Sequence, residues 1–311
     1  MASDRPFDTE SRLRGTPESS EDPKTGPGAA QPPAPGLYLI ATPIGNLRDI
    51  TLRALDLLGQ VDEVLAEDTR VARRLLDAHG IRAKLSPYHD HNGAQRRPEI
   101  VQRIQQGETL ALISDAGTPL VSDPGWKLVS DAIKADCLVV PIPGASSALA
   151  GLVASGLPSD RFLFQGFLPQ KQGARRAILQ ELKSLSSTLI FFESAARLPN
   201  RLEEFSDVFG TERQAVIARE LTKLFEEFRR DSLGALAEYY RGAGAPKGEV
   251  VILVGPAAPR SVATEADIDA ALRSALAQQP LKSAALEVAE AFGLPRRDMY
   301  QRALALKDAE G

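Results

Sequence analysis

The chain has little of what most often does chemistry in a single residue. Its 311 residues hold one cysteine, Cys137, and three histidines, His79, His89 and His91. A lone thiol closes no intramolecular disulfide, and the first residues lack the apolar core of a secretory signal, so the sequence reads as cytoplasmic. A zinc site would have to recruit carboxylates, and no metal is expected. The longest apolar runs, such as Leu37–Ala41 and Val250–Val254, are five to six residues. That is far below the ~18 needed to span a bilayer, so no membrane partner is expected. The fingerprints G-x-G-x-x-G after a strand, G-x-x-x-x-G-K-[ST] and G-x-S-x-G are all missing, which argues against dinucleotide, P-loop and α/β-hydrolase chemistry. Nor does charge of one sign dominate: 37 Lys+Arg face 41 Asp+Glu, a formal −4. Any nucleic-acid site must therefore be local.

What is present divides into four segments. Residues 1–35 contain seven of the 22 prolines and few large apolar groups, and are expected to form a disordered N-terminal extension. From 36 to 157, short apolar runs alternate with helix-length amphipathic stretches. The runs Leu37–Ala41, Val61–Ala66, Leu110–Ile113 and Leu138–Pro141 do not alternate polar with apolar, as suits strands buried on both faces of a parallel sheet. A second strand-helix series is expected over 158–256. Its strands fall at Phe162–Gln165, Thr188–Phe192, Gln214–Ala218, Phe225–Arg230 and Glu249–Val254, and its helices at Gly173–Leu185 and Leu198–Phe209. The two strands near 214 and 230 leave no room for a helix between them, which predicts antiparallel pairing and a mixed sheet. Residues 257–311 read as helical, with Thr264 as an N-cap and a helix-turn-helix pattern around Gly293. The fold class is α/β: two α/β domains and a small helical appendix.

Three loops after strands carry the chemical interest. Thr42–Thr51 holds Pro43, Gly45 and Asn46, residues that shape a backbone surface. Ser114–Gly125 packs two Gly, two Pro and three Asp-or-Thr side chains at Asp115, Thr118 and Asp123 into a connection longer than the usual ~2 to 6 residues, which suggests a ligand. Within it, Asp123 before Pro124-Gly125 reads best as the N-cap of the next helix. Pro141–Ala148 brings Gly144 and opens a helix at Ser146-Ser147, whose free N–H groups suit a carboxylate. Loops of this kind after parallel strands converge at one sheet edge.

Thr42-Pro-Ile-Gly-Asn-Leu, Ala66-Glu-Asp-Thr-Arg70, Ser114-Asp-Ala-Gly-Thr-Pro-Leu-Val-Ser-Asp-Pro-Gly, Pro143-Gly-Ala-Ser-Ser-Ala and Phe191-Phe-Glu-Ser together resemble the ribosomal small-subunit RNA cytidine 2′-O-methyltransferases of the tetrapyrrole methylase superfamily. The resemblance covers about Gly36 to Pro256 and, more weakly, the helical tail. It implies S-adenosylmethionine in a cleft between two α/β domains of a homodimer, and methyl transfer to a cytidine ribose in the decoding region of 16S rRNA. Carried over by position, it implies cofactor contacts at Pro43, Ile44 and Gly45, at Asp115, Gly117, Thr118, Pro119 and Val121, and at Gly144, Ser146 and Ser147. From the second domain, Phe192 and Glu193 would line the cleft.

Removing the ribose proton calls for a positioned base. The sequence offers Glu220 and Lys223 in one stretch and His89 in another, while Glu67 and Arg70 suit a pair that caps a helix. His89 and His91 would share a strand face if their segment is extended. For RNA, residues 70–103 hold eight Lys/Arg against three acidic groups, a local +5. Arg70, Arg73, Arg74, Arg96 and Arg97 are the candidates there, with Lys171, Arg175 and Arg176 as a second cluster. The competing readings are a methyltransferase of a tetrapyrrole or other small molecule, and a non-catalytic RNA-binding protein that uses the helical tail.

Overall fold

In the computed structural model, which describes residues 32–258 and 264–310, the apolar runs of the first half form a wholly parallel sheet. Its strands are β1 (Gly36–Ile40), β2 (Glu63–Ala66), β3 (Leu85–Pro87), β4 (Thr109–Ile113) and β5 (Val139–Ile142), in the order β3-β2-β4-β1-β5. The crossovers are α1 (Leu52–Leu58), α2 (Thr69–Ala78), α3 (Asp90–Gln105) and α4 (Trp126–Lys134), and α5 (Ser147–Ser155) leaves the last strand. Every residue of β2 and β4 is buried, which is why these strands carry no polar alternation. The extension expected over 1–35 lies, as far as residue 31, outside the described residues.

The second sheet is mixed. It is built from β6 (Phe162–Phe167), β7 (Thr188–Ser194), β8 (Gln214–Arg219), β9 (Glu227–Ser232) and β10 (Glu249–Val254), in the order β6-β7-β10-β8-β9. Only β6 and β7 run parallel. Between them come α6 (Gln172–Leu182), α7 (Leu198–Phe209) and α8 (Leu233–Ala243). The antiparallel pair β8–β9 is the one its spacing predicts, but β9 starts at Glu227 rather than Phe225. Glu220 and Thr222 adopt positive φ (51° and 64°), and the turn they make leaves Leu224 and Phe225 outside the ladder and exposed.

Helix α5 is the joint between the sheets. Ala148 and Leu152 pack with Ile190, Val216, Val251 and Leu253 of the second sheet and with Ile44 of the first loop. At its carboxyl end, the Arg230 guanidinium donates to Ala154 O (2.6 Å) and Ser155 O (3.0 Å), satisfying carbonyls that a helix terminus leaves open.

The tail forms three helices, α9 (Glu265–Leu276), α10 (Leu281–Phe292) and α11 (Arg296–Glu310), around a core of its own. Thr264 caps α9 through a reciprocal box with Asp267, and Gly293, at φ 65°, ends α10 in the left-handed conformation expected of the turn. Two of its three arginines nearest the turn are neutralised: Arg302 by Asp269 (2.5 Å) and Glu265 (3.3 Å), and Arg296 by Glu290 (2.9 Å).

Candidate active site

The loops after β1, β4 and β5 meet at the carboxyl edge of the parallel sheet, where such sheets bind ligands. Thr42 and Gly117 exchange backbone hydrogen bonds of 2.9 and 3.0 Å, and Thr42 Oγ1 donates to Ser114 O at 3.1 Å. Thr118 Oγ1 donates to Ala145 O at 3.2 Å, which ties the second loop to the third. Gly144 fits because a Cβ there would lie 2.9 Å from Ala41 Cβ, too close for contact. Leu120 and Ser122 have φ of 72° and 66°, left-handed values that cost a non-glycine residue about 1–3 kcal/mol each and that turn the loop toward the second sheet.

Between the sheets lies a cleft of about 490 Å³. Ile44, Asp115, Val121 and Ser147 line it from the first lobe, and Phe192 and Glu193 from the second, so six of the residues implied by the resemblance come together there. Gly45, Gly117, Thr118, Pro119, Gly144 and Ser146 do not line it. Gly117, Thr118 and Gly144 hold the loops to one another, Pro119 is buried, and Ser146 caps α5 by accepting from Leu149 N at 3.5 Å. Pro43 faces a smaller cavity of about 300 Å³, which also contains Arg74 and shares Asp115 with the cleft.

The cleft is electrostatically one-sided. Its lining includes Glu67, Asp115, Asp123, Glu193 and Glu249 and no Lys, Arg or His. Lys223, in the turn after β8, is held at the margin, where its Nζ donates to Glu220 Oε1 (2.8 Å) and Glu249 Oε2 (3.0 Å). The hydrogen bond from Lys223 holds the Glu220 carboxyl below its ordinary range. The Lys223 ammonium, though burial pulls it down, is pushed above its ordinary range by these two carboxylates. Neither expected base is therefore well tuned to take a proton. His89 is not in the cleft: it stands at the N-cap of α3, its backbone N–H donating to Asn92 Oδ1 at 2.9 Å. The shared strand face expected of His89 and His91 does not form, because the helix begins at Asp90.

Asp123 is the residue that the sequence placed wrongly. It does not cap α4: Gly125, at φ 132°, holds the cap position without a side-chain bond, and the carboxyl of Asp123 turns into the cleft. Burial and then the charge of Glu67 push its pKa up to about 6, with Asp115 adding and a hydrogen bond from Ser114 opposing. Since the folded state holds this proton more tightly than the unfolded chain, the group favours folding at low pH, and that contribution is lost as the pH rises through about 6. Asp123→Asn is expected to stabilise the fold at pH 7.5 by on the order of 1 kcal/mol after solvent screening, and not at pH 4. Thermal denaturation at the two pH values checks this.

Glu193 enters the cleft from a buried ion network. Its Oε1 accepts from Ser194 N (2.9 Å) and its Oε2 from Arg201 Nε (2.6 Å); Arg201 Nη1 continues to Glu204 Oε2 (2.9 Å), which Arg175 Nε also reaches (2.5 Å). This corrects the reading of Arg175 as an RNA contact. It is 7% exposed, and its guanidinium is used by Glu204, Pro169 O and Gln170 O. Lys171 and Arg176 beside it are exposed.

The other basic cluster divides in the same way. Arg96 is turned inward to Ser86 Oγ (3.0 Å) and Pro87 O, and Arg97 pairs with Asp131 (2.9 Å). Arg70 is exposed but forks onto Asp68, which takes the partner's place expected for Glu67 and caps α2. Arg73 and Arg74 are exposed, with no carboxylate partner among the described residues.

Two α/β lobes with a cleft between their sheets, lined by strand-end loops, have the architecture of a small-ligand-binding enzyme. The chain belongs to the tetrapyrrole (corrin/porphyrin) methylases, whose family model matches residues 36–237, and a model of the RsmI C-terminal HTH domain matches residues 262–307. It is 53% identical to the ribosomal RNA small subunit methyltransferase I of Mesorhizobium japonicum over 91% of this chain and 96% of that protein. With the protein of the same name from Pseudomonas aeruginosa it shares 46% over 86% and 96%. Among solved structures, diphthine synthase matches with a TM-score of 0.54 at 16% identity, over 70% of this chain and 89% of that one. A uroporphyrin-III C-methyl transferase from Thermus thermophilus, complexed with S-adenyl homocysteine, matches at 0.51 and 18%, over 71% and 97%. Among the described residues no group of side chains suits a metal ion, and no helix is long and apolar enough to cross a membrane.

Proposed function

We propose that this chain is an S-adenosylmethionine-dependent methyltransferase that methylates the ribose 2′-OH of a cytidine in the decoding region of 16S rRNA. It acts as a cytoplasmic homodimer, with 36–157 and 158–256 as the lobes that close on the cofactor. The observation that carries the reading is a cleft lined by five carboxylates and no Lys, Arg or His, with Arg201 and Lys223 behind that lining answering Glu193 and Glu249. S-adenosylmethionine carries a sulfonium and an ammonium against one carboxylate, and such a net cation is favoured by that lining. Its carboxylate suits the free N–H groups at the start of α5, at Ser146 and Ser147. When bound, it supplies a methyl group on a leaving sulfur; the chain's task is to align an attacking oxygen with that methyl and to exclude competing water.

The acceptor is the RNA of the small ribosomal subunit, as the curated relatives' name implies. Arg74, exposed on α2 at the smaller cavity, and its exposed neighbour Arg73 support phosphate contacts next to the cleft, with Lys171 and Arg176 as a second set. A tetrapyrrole acceptor is not what the curated relatives' name implies. Labelled S-adenosylmethionine offered with small subunits from cells lacking the modification should deliver label to the 2′-oxygen of one cytidine. Label on a base, or on no RNA, would overturn the proposal.

A further inference from the structure

The geometry points to Asp123 as the group that takes the proton from the ribose hydroxyl, an inference that rests on the methyltransferase reading above. The argument begins with the loop. A plain β-to-α connection needs ~2 to 6 residues; this one runs from Ser114 to Gly125 and passes through left-handed residues at Leu120 and Ser122 before the helix starts. It touches the opposite lobe at the bulge of β6, where a Cβ on Gly166 would fall 2.8 Å from Ser122 Oγ. Ser122 and Asp123 thereby stand in the cleft within reach of both sheets, beside Val121 and opposite Phe167. Strain of this kind persists where the surroundings hold it, and here it aims a carboxylate that the helix does not use as a cap.

The chemistry of the surroundings selects Asp123 over the other candidates. Lys223 is kept protonated by Glu220 and Glu249, and Glu220 is made a weaker base by the same contact. Asp115 is committed to the Asp68 backbone N–H at 3.0 Å. Asp123 is half-buried and shares the cleft with Glu67 and Asp115 from its own lobe and Glu193 and Glu249 from the other. Burial and then the charges of Glu67 and Asp115 raise its basicity while leaving it ionised at neutral pH, the condition under which a carboxylate is an effective general base.

The step balances simply. The O2′–H proton passes to the Asp123 carboxylate as O2′ forms its bond to the methyl carbon; the carbon–sulfur bond breaks with its electron pair on sulfur. The sulfonium becomes a neutral sulfide, and the proton leaves Asp123 for solvent.

The test uses the full chain and small subunits lacking the modification. Asp123→Asn should lower the single-turnover rate about 10²–10⁴-fold. Its affinity for S-adenosylhomocysteine, measured by calorimetry, should stay within about threefold of wild type, since a neutral product needs no counter-charge. The wild-type rate should rise with pH to a plateau above about 6, whereas the rate of Asp123→Asn, dependent on hydroxide, should keep rising through pH 9. Asp123→Glu should recover part of the rate, and Glu67→Gln should move the wild-type acid limb to lower pH. If Asp123→Asn keeps more than a tenth of the activity, or loses it in proportion to weakened S-adenosylhomocysteine binding, Asp123 is not the base. A wild-type protein that binds S-adenosylhomocysteine but labels no ribose overturns the functional reading itself, and this role with it.

Discussion

Arg201→Ala is expected to destabilise the protein by about 3–5 kcal/mol, the range found when one partner of a buried charge network is removed. The side chains of Arg201, Glu193, Arg175 and Glu204 are each no more than 10% exposed. Among the described residues Arg201 alone links the two carboxylates: it holds Glu193 at 2.6 Å and Glu204 at 2.9 Å. Without it Glu193 keeps one backbone donor and Arg197, whose Nη1 lies 3.9 Å away, and Glu204 keeps Arg175, while Glu204 Oε1 already has no hydrogen-bond partner. The chain must then bury a carboxylate whose remaining cation, Arg197, is half-exposed and 3.9 Å away. Urea unfolding at pH 7.5 checks this. The double variant Arg201→Ala, Glu193→Ala should be more stable than Arg201→Ala alone, because the orphaned charge is gone. A loss below about 1 kcal/mol for the single variant would mean that the network does not hold the second lobe together.

That network also shows where sequence reading stops. Lys171, Arg175 and Arg176 form a basic stretch in the sequence, but the helical period turns the middle residue of the three inward, onto a carboxylate 29 residues away. Charge counted along a chain does not distinguish a solvated cation from one already neutralised, and the same averaging hid the pairing of Arg96 and Arg97. The parallel sheet was legible because its strands are buried on both faces and so read as unbroken apolar runs. The three strand-end loops that meet at the cleft were legible from their Gly and Pro content and their length. Asp123 was not, because Asp-Pro-Gly before a helix has an ordinary explanation as a cap, and only the left-handed residues before it redirect the side chain. Helix α8 went unread because it follows β9 without a break, with Ser232 both ending the strand and capping the helix through Ala235 N at 3.3 Å.

Gly45→Val is expected to reduce methyl transfer by about 10²-fold, with a smaller effect on stability, since displacements near 1 Å at a reacting centre have that consequence. The reason lies in the contact between the first loop and the segment after β8. A Cβ on Gly45 would come within 2.5 Å of Lys223 Cγ, 2.9 Å of Lys223 Cε and 3.0 Å of Leu221 O. The lysine stem can swing away only by giving up Glu220 and Glu249, which would free a cation at the margin of an otherwise anionic cleft. The backbone at Leu221 has little room to yield, since Glu220 and Thr222 on either side already hold positive φ and Glu220 N is bonded to Glu249 O at 3.0 Å. The strain therefore passes to Ile44 and Leu221, which line the cleft from opposite lobes. S-adenosylhomocysteine affinity and turnover should both fall in Gly45→Val. Removing the stem in the double variant Gly45→Val, Lys223→Ala should restore part of the affinity, because the nearest clash is gone and no cation is released. If the double variant binds no better than the single one, the obstruction is the carbonyl of Leu221 alone, and Lys223 plays no part in setting the width of the cleft.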